Sequence, residues 1–346
     1  MRTLTPRALD PADYATWFDA NRADLAYRSA YHDPGWLTAS TTGVGFEEAH
    51  IGLWDGGEMV AAVPGHLTRR GPFRLFGSPL RGTMTSSLGP VSLDPNLLDG
   101  QGRTETIDTC ARFARETWGV RYVRVTTQDE PARPQPLPDG PGWHGQGSGS
   151  YRKDLTPGEE AVFASLKSRC RRNVRKAGRE GLTIEENDDP ALFFDILQET
   201  FRHHGTTSYQ RLAFFEGLLA TLPARDRLWS WGAHHEGQVI AVGLFLHDDR
   251  EMHFVSGASR PGFGSLPTSY LLHWHAIATA CRHGLEVFHS EESKIPSIDH
   301  FKETFTPVLE RRGTLIWAPR LAWSGQRAYR RVHRRVSSLK SRLPVG

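Results

Sequence analysis

Cysteine is scarce in this chain, with Cys110, Cys170 and Cys281 the only three in 346 residues. They are odd in number, far apart and without C-x-x-C spacing. This speaks against a disulfide framework or a cysteine zinc site and fits a reducing compartment. No window approaches 18 uninterrupted apolar residues, so no transmembrane helix is expected. The first ten residues, M-R-T-L-T-P-R-A-L-D, have no apolar core of the kind a secretory signal carries, and a cytoplasmic location is the expectation. Charge of one sign is also lacking overall, since the net charge is only +3. Basic character must therefore be local. Sustained heptads are absent, as are zincin spacing and a nucleophile elbow, so no metal and no covalent serine or cysteine mechanism is expected.

What is present is a basic run, S-L-K-S-R-C-R-R-N-V-R-K-A-G-R-E-G, from Ser165 to Gly181. It places Arg169, Arg172, Arg175 and Lys176, among others, on about four turns of an expected helix. Such a run attracts a polyanion, either a phosphate-rich cofactor or a nucleic acid, or else forms a solvated helix face. A second basic stretch closes the chain, with eight Lys or Arg and no acids between Arg320 and Arg342. Its apolar residues fit one loose helical face. That pattern suits packing on its own domain, contact with nucleic acid or contact with an anionic membrane surface.

The length suits two domains. In the first half, Asp10 caps a helix with Pro11 at its first position. Residues 49–54 and 58–64 flank D-G-G as a hairpin, and a helix over 105–117 closes at Gly119 before a strand. Residues from about 130 to 150 are rich in proline and glycine and read as a linker. The second half repeats the order: the basic helix, helices over 191–204 and 211–222, a hairpin at 228–234 and 238–247, a strand over 250–258, a helix over 270–283 and a strand over 285–289. The expected division is 1–135, a linker at 136–150, 151–318, and a basic tail at 319–346. Two histidine pairs, His203 with His204 and His273 with His275, stand at helical spacings that do not converge on one ion. The loop Arg260–Ser269 follows a strand and opens a helix, so Arg260, Gly262 and Gly264 are expected phosphate contacts.

Strand, glycine loop and helix after antiparallel strands is the arrangement of the GNAT acyltransferases, and this chain resembles their Fem-type branch. The segments that carry the likeness are R-C-R-R-N-V-R-K-A-G-R-E-G, F-R-H-H-G-T-T-S-Y-Q-R-L-A-F-F, L-P-T-S-Y-L-L-H-W-H-A-I-A-T-A-C-R-H-G-L-E-V-F and D-H-F-K-E-T-F, in that order. The resemblance implies an α/β (α+β) fold of two tandem GNAT-like domains, each a mixed, mostly antiparallel sheet flanked by helices. It implies an aminoacyltransferase that takes its group from aminoacyl-tRNA, with no further cofactor, and forms an amide on an amine of a peptidoglycan precursor or a specialised metabolite. An acyl-CoA-dependent N-acyltransferase is the alternative, as is a non-catalytic binding protein of the same fold. Ser259 stands where the pyrophosphate loop of such enzymes normally has Gln or Arg, which favours tRNA.

Lys302 and Phe301 occupy the F-K motif and are the expected catalytic pair. Lys302 would stabilise an oxyanion or hold the terminal tRNA phosphate. His289, Glu291 and Glu292 just before it, with His204 and Ser208 at the helix end and its loop, are the expected acceptor-binding set. His289, Glu291 and Glu292 are read individually as loop residues.

Overall fold

The structure is a computed structural model that describes residues 4–127, 137–208, 210–291, 293, 295–306 and 308–319. The basic tail from 320 onward and Glu292 lie outside the described residues. The first half contains strands β1 (Thr5–Leu9), β2 (Glu47–Glu48), β3 (His50–Asp55), β4 (Glu58–Val63), β5 (His66–Arg70), β6 (Phe73–Ser78), β7 (Val91–Ser92) and β8 (Tyr122–Thr126). Its helices are α1 (Pro11–Asn21), α2 (Pro34–Thr41) and α3 (Gly100–Trp118). The second half contains β9 (Trp143–Asp154), β10 (Thr183–Glu186), β11 (Leu228–His235), β12 (Gln238–His247), β13 (Glu251–Ser259), β14 (Val287–Glu291) and β15 (Val308–Trp317). Its helices are α4 (Glu159–Ser165), α5 (Ser168–Arg179), α6 (Pro190–His203), α7 (Leu212–Thr221), α8 (Thr268–Arg282) and α9 (Pro296–Lys302).

Local chemistry accounts for the boundaries. Asp10, Asp33 and Asp189 each precede a proline, and each carboxylate accepts from an amide of the first helical turn. The side chain satisfies a donor that the helix cannot, while proline supplies its preset φ. Gly119 ends α3 in the left-handed conformation at φ 64°, where a side chain would strain the backbone.

The mixed α/β architecture with two GNAT-like halves is as expected, but the halves do not keep separate sheets. Strands β1-β3-β4-β7 form one small sheet, and the rest form a single sheet ordered β10-β11-β12-β13-β14-β9-β15-β8-β6-β5-β2. The linker reading of 136–150 is corrected here, because residues 143–150 are the first part of β9. Glycines at 145, 147 and 149 suggested a flexible chain. Their backbone is instead held by β15, which pairs antiparallel from Trp143↔Trp317 to Arg152↔Val308. β15 also pairs with β8 of the first half, so the second half returns a strand to the first.

The largest core crosses the same boundary. Tyr14, Phe18, Tyr31 and Trp36 of the first half pack with Phe193, Phe214, Phe215 and Leu244 of the second. Phe193 and Phe215 stack at 5.0 Å between ring centroids. Around this core Arg28 pairs with Asp248 at 2.8 Å, and Asp33 holds Arg225 at 2.9 Å and Arg227 at 3.3 Å. Buried apolar area at such a boundary makes the halves interdependent. Phe215→Ala is therefore expected to cost about 3–5 kcal/mol and to lower the stability of both halves together. Urea unfolding followed by tryptophan fluorescence and by far-ultraviolet circular dichroism should give one coincident transition, and two separated transitions would contradict the shared core.

Candidate functional site at the splayed strands

β13 and β14 run parallel, with pairs only from Glu251↔Val287 to Phe254↔Ser290. β14 ends at Glu291, whereas β13 continues to Ser259 with its other edge still paired to β12. Beyond Phe254 the strands part, and one edge of β13 faces a cleft of about 740 Å³. A register shift at Leu244/Phe245 in the β12–β13 pair adds local twist at this level. The cleft is walled by Thr200 and Phe201 of α6 and His204 just past its end, by Val255–Ser259 of β13, by Ser269, Leu272 and His273 from α8, and by Phe301 and Lys302 from α9. An exposed strand edge offers backbone donors and acceptors to an extended ligand, and the aromatic walls supply apolar surface.

A second hollow of about 530 Å³ adjoins it, sharing Thr200, His204, Ser259, Ser269 and Phe301. It is lined by the whole loop 260–267, by Arg169 and Asn173 of α5, and by the start of α8. Gly262 has φ 96°, and nothing lies within 4 Å of a side chain built there or at Gly264. Both glycines thus leave the backbone open to an approaching ligand. Lys176 donates to the Ser265 carbonyl at 3.1 Å and ties the basic helix to this loop. Arg169, Arg172 and Arg175 are exposed, with Arg175 placed over the Phe163 ring. Arg260 differs from its expected role. Its guanidinium is committed to Glu199, to Asp195 at 3.5 Å and to the Val239 carbonyl at 3.1 Å. It clamps α6 to the sheet, and the local positive charge comes from α5.

Lys302 is buried at 8 % exposure. Its ammonium donates to the Glu291 carbonyl and lies 5.9 Å from the Phe254 ring centre. Burial lowers its pKa, against the opposing pull of Glu291 and Asp299. Phe301 lies in both hollows and packs edge-on to Tyr270 at 4.9 Å. His273 sits among Phe245, Phe254, Phe288, Phe301 and Phe305. It shares a 2.9 Å hydrogen bond through Nδ1 with the Ser269 carbonyl, and its Nε2 is buried without a partner. As the carbonyl can only accept, Nδ1 carries the proton.

Among the expected acceptor residues, His204 lines the cleft. Ser208 instead bonds Gln210, donating to its side chain at 3.0 Å. His289 and Glu291 are not loop residues. They belong to β14, and His289 is 6 % exposed. His289 Nε2 lies 3.3 Å from Glu251, and its ring stacks on His253 at 4.7 Å. Glu291 is paired with Arg312 of β15 at 2.6 Å. Burial pushes the Glu291 carboxyl up, but Arg312, His253 and His289 outweigh it and hold the group below its ordinary range. The cause of the misreading is register. Glu251 and His253 meet β14 because β13 is its neighbour, and Arg312 reaches it from β15 one strand beyond β9, and strand order cannot be read from spacing. The one local signal was the i, i+2 pair Glu251 and His253, which a strand places on one face.

Residues 164–294 match the acetyltransferase (GNAT) domain family. No curated protein matches the sequence. Among solved structures, FemX is similar at 10 % identity and a TM-score of 0.68, over 93 % of this chain and 99 % of that one. A tandem GNAT protein from the clavulanic acid biosynthesis pathway is 14 % identical with a TM-score of 0.55, over 90 % of this chain and 98 % of that one. L-PGS from Bacillus licheniformis is 11 % identical with a TM-score of 0.52, over 84 % and 93 %. At these identities the likeness is one of fold.

His273 generates a prediction. Burial, together with the nearby Lys302 charge, lowers its pKa to about 3 even though the Ser269 carbonyl opposes the shift. The unfolded chain then binds a proton that the folded chain refuses, so stability falls as pH drops from about 6.5 toward that value. His273→Phe, which matches its aromatic surroundings, is expected to make unfolding free energy less steep between pH 6.5 and 4. An unchanged slope in denaturant titrations across that range would contradict the assignment. The chain thus matches the acetyltransferase (GNAT) domain family over residues 164–294, on a fold similar to those of FemX and of a tandem GNAT protein.

Proposed function

We propose that this protein is an acyltransferase that holds an activated acyl group in the cleft between β13 and β14 and passes it to an amine, with aminoacyl-tRNA as the donor. The observation that carries the reading is the parting of the two strands after Phe254↔Ser290 beside a buried lysine and a glycine loop. The acyl carrier extends along the free edge of β13, with its phosphates toward Gly262 and Gly264 and the start of α8. The amine nitrogen attacks the ester carbonyl carbon, the carbon–oxygen bond to the carrier breaks, and the departing hydroxyl takes the proton that the amine loses. Lys302 donates to the oxygen that becomes negative, and burial strengthens that interaction. Phe301 and the apolar wall exclude water that would hydrolyse the ester.

The donor assignment rests on the arginines of α5, of which Arg169 lines the hollow at the glycine loop while Arg172 and Arg175 are exposed along the same helix, a run that suits a phosphate backbone longer than a single pyrophosphate. It agrees with the Fem-type resemblance of the sequence. The matched GNAT domain and the open glycine loop favour a second reading, in which acyl-CoA is the donor. A non-catalytic binding role is the third outcome.

Binding of purified protein to bulk aminoacyl-tRNA and to a panel of acyl-CoAs, each at 50 and 200 mM salt, separates these readings. The tRNA reading expects binding that requires aminoacylation and weakens at least tenfold over that salt range. Arg169→Ala with Arg172→Ala should reduce the salt slope as well as the affinity. Selective CoA binding without tRNA binding would overturn the donor assignment, and binding to neither would remove the catalytic reading. Once a donor and an acceptor are in hand, Lys302→Met is expected to lower kcat by about 10²–10³ with a smaller change in KM.

A further inference from the structure

The cluster beneath the cleft has a use that acyl transfer does not require. Glu251 and His253 are two residues apart on β13 and share one face of that strand. His289 is the register partner of His253 on the neighbouring parallel strand and so presents its side chain to the same face. The result is three donor groups on two adjacent strands with their ligand atoms within 4.8 Å of one another. His253 Nε2 is 2.8 Å and His289 Nε2 3.3 Å from the two oxygens of Glu251. A tetrahedral zinc ion with bonds of about 2.1 Å needs its ligand atoms about 3.4 Å apart, so small side-chain movements would admit one.

We propose that Glu251, His253 and His289 form a binding site for one divalent transition-metal ion, zinc by preference. Two imidazoles and one carboxylate suit zinc and leave a position for water. All three residues are buried, and a strand-borne site is rigid. Part of an outer shell is already in place. Ser150 Oγ lies 3.4 Å from His289 Nδ1, and the Ala30 amide donates to Glu251 at 3.1 Å. Such contacts hold metal ligands in orientation. His253 lacks a counterpart, because its Nδ1 is buried without a hydrogen-bond partner. Missing an outer contact typically costs 10–100-fold in affinity, which places the expected Kd on the order of micromolar. The ion would staple β13 to β14 just before they part. Through Ala30 and the Tyr31 ring, 4.5 Å from His253, it would also tie the first half of the chain to that point.

The test uses tag-free full-length protein, stripped with EDTA and desalted. Zinc is titrated against a chromophoric indicator, and cobalt is followed by visible absorption. One equivalent of zinc should bind at micromolar concentration, cobalt should give the intense visible bands of a four-coordinate site, and zinc should raise Tm by mass action. Glu251→Gln and His289→Gln keep the size of each group and a hydrogen bond between them, and each should weaken zinc binding at least tenfold. Should a variant fail to fold, the wild-type stoichiometry and cobalt spectrum decide alone. No saturable binding up to 100 µM zinc would overturn the proposal and leave a hydrogen-bonded His–Glu–His bridge. So would binding that survives both substitutions, or a cobalt spectrum of weak six-coordinate type.

Discussion

The pairing of β9 with β15 is the constraint on which the rest of this molecule hangs. β9 opens the second half and β15 closes it, yet β15 lies between β9 and β8 of the first half. The centre of the large sheet therefore reads β13-β14-β9-β15-β8-β6. On each side of the β9–β15 seam stands one parallel pair, β13 with β14 and β6 with β8, each joined through a crossover helix. Such a crossover is the ordinary way to make parallel neighbours. The halves are thus two versions of one unit that share a seam, and a strand from the later part of the chain completes the sheet of the earlier.

That seam also places the candidate chemistry. Arg312 belongs to β15 and is almost fully buried, and its guanidinium holds Glu291 at the end of β14. The backbone carbonyl of the same Glu291 accepts from Lys302. Lys302 is therefore positioned through one residue that the seam fixes. A buried carboxylate without Arg312 would be costly, so this part of the site and the docking of the halves are hard to vary independently. The parting of β13 from β14 follows from the same arrangement: β14 stops at Glu291, where its partner β9 begins the stretch that β15 alone continues to hold.

The helix start at Asp10–Pro11 and the helix end at Gly119 were legible because they are local. Aspartate before proline and a terminal glycine act within one turn, and periodicity marks the apolar faces of α3, α6 and α8. The motifs around the basic helix, the glycine loop and the F-K pair were legible for the same reason, and they led to the correct fold. The glycine-rich strand β9 was not, since its order comes from two neighbouring strands and not from its own composition. Nor was the place of His289 and Glu291 in a strand legible. An F-H-S-E-E-S string reads as a polar loop until β13 and β9 are laid against it. Arg260 shows the limit in another way. Its place in the loop was right, but the carboxylates that claim it sit on α6, more than sixty residues earlier.

Charge inside the deep cleft bears on how a donor must lie. Lys302 is the one Lys, Arg, Asp or Glu among its described lining residues, and His273 is neutral at ordinary pH. Positive charge in a low-dielectric hollow favours a developing oxyanion and disfavours a second cation near it. An aminoacyl group brings such a cation in its α-ammonium. On the proposed reading that ammonium would have to turn away from Lys302, and the lining also contains the hydroxyls of Ser256 and Ser259. An acyl group without charge meets no such restriction. Were an aminoacyl group the donor, as proposed, repulsion would select its pose as much as attraction, which is how a site with few polar contacts can still orient a substrate.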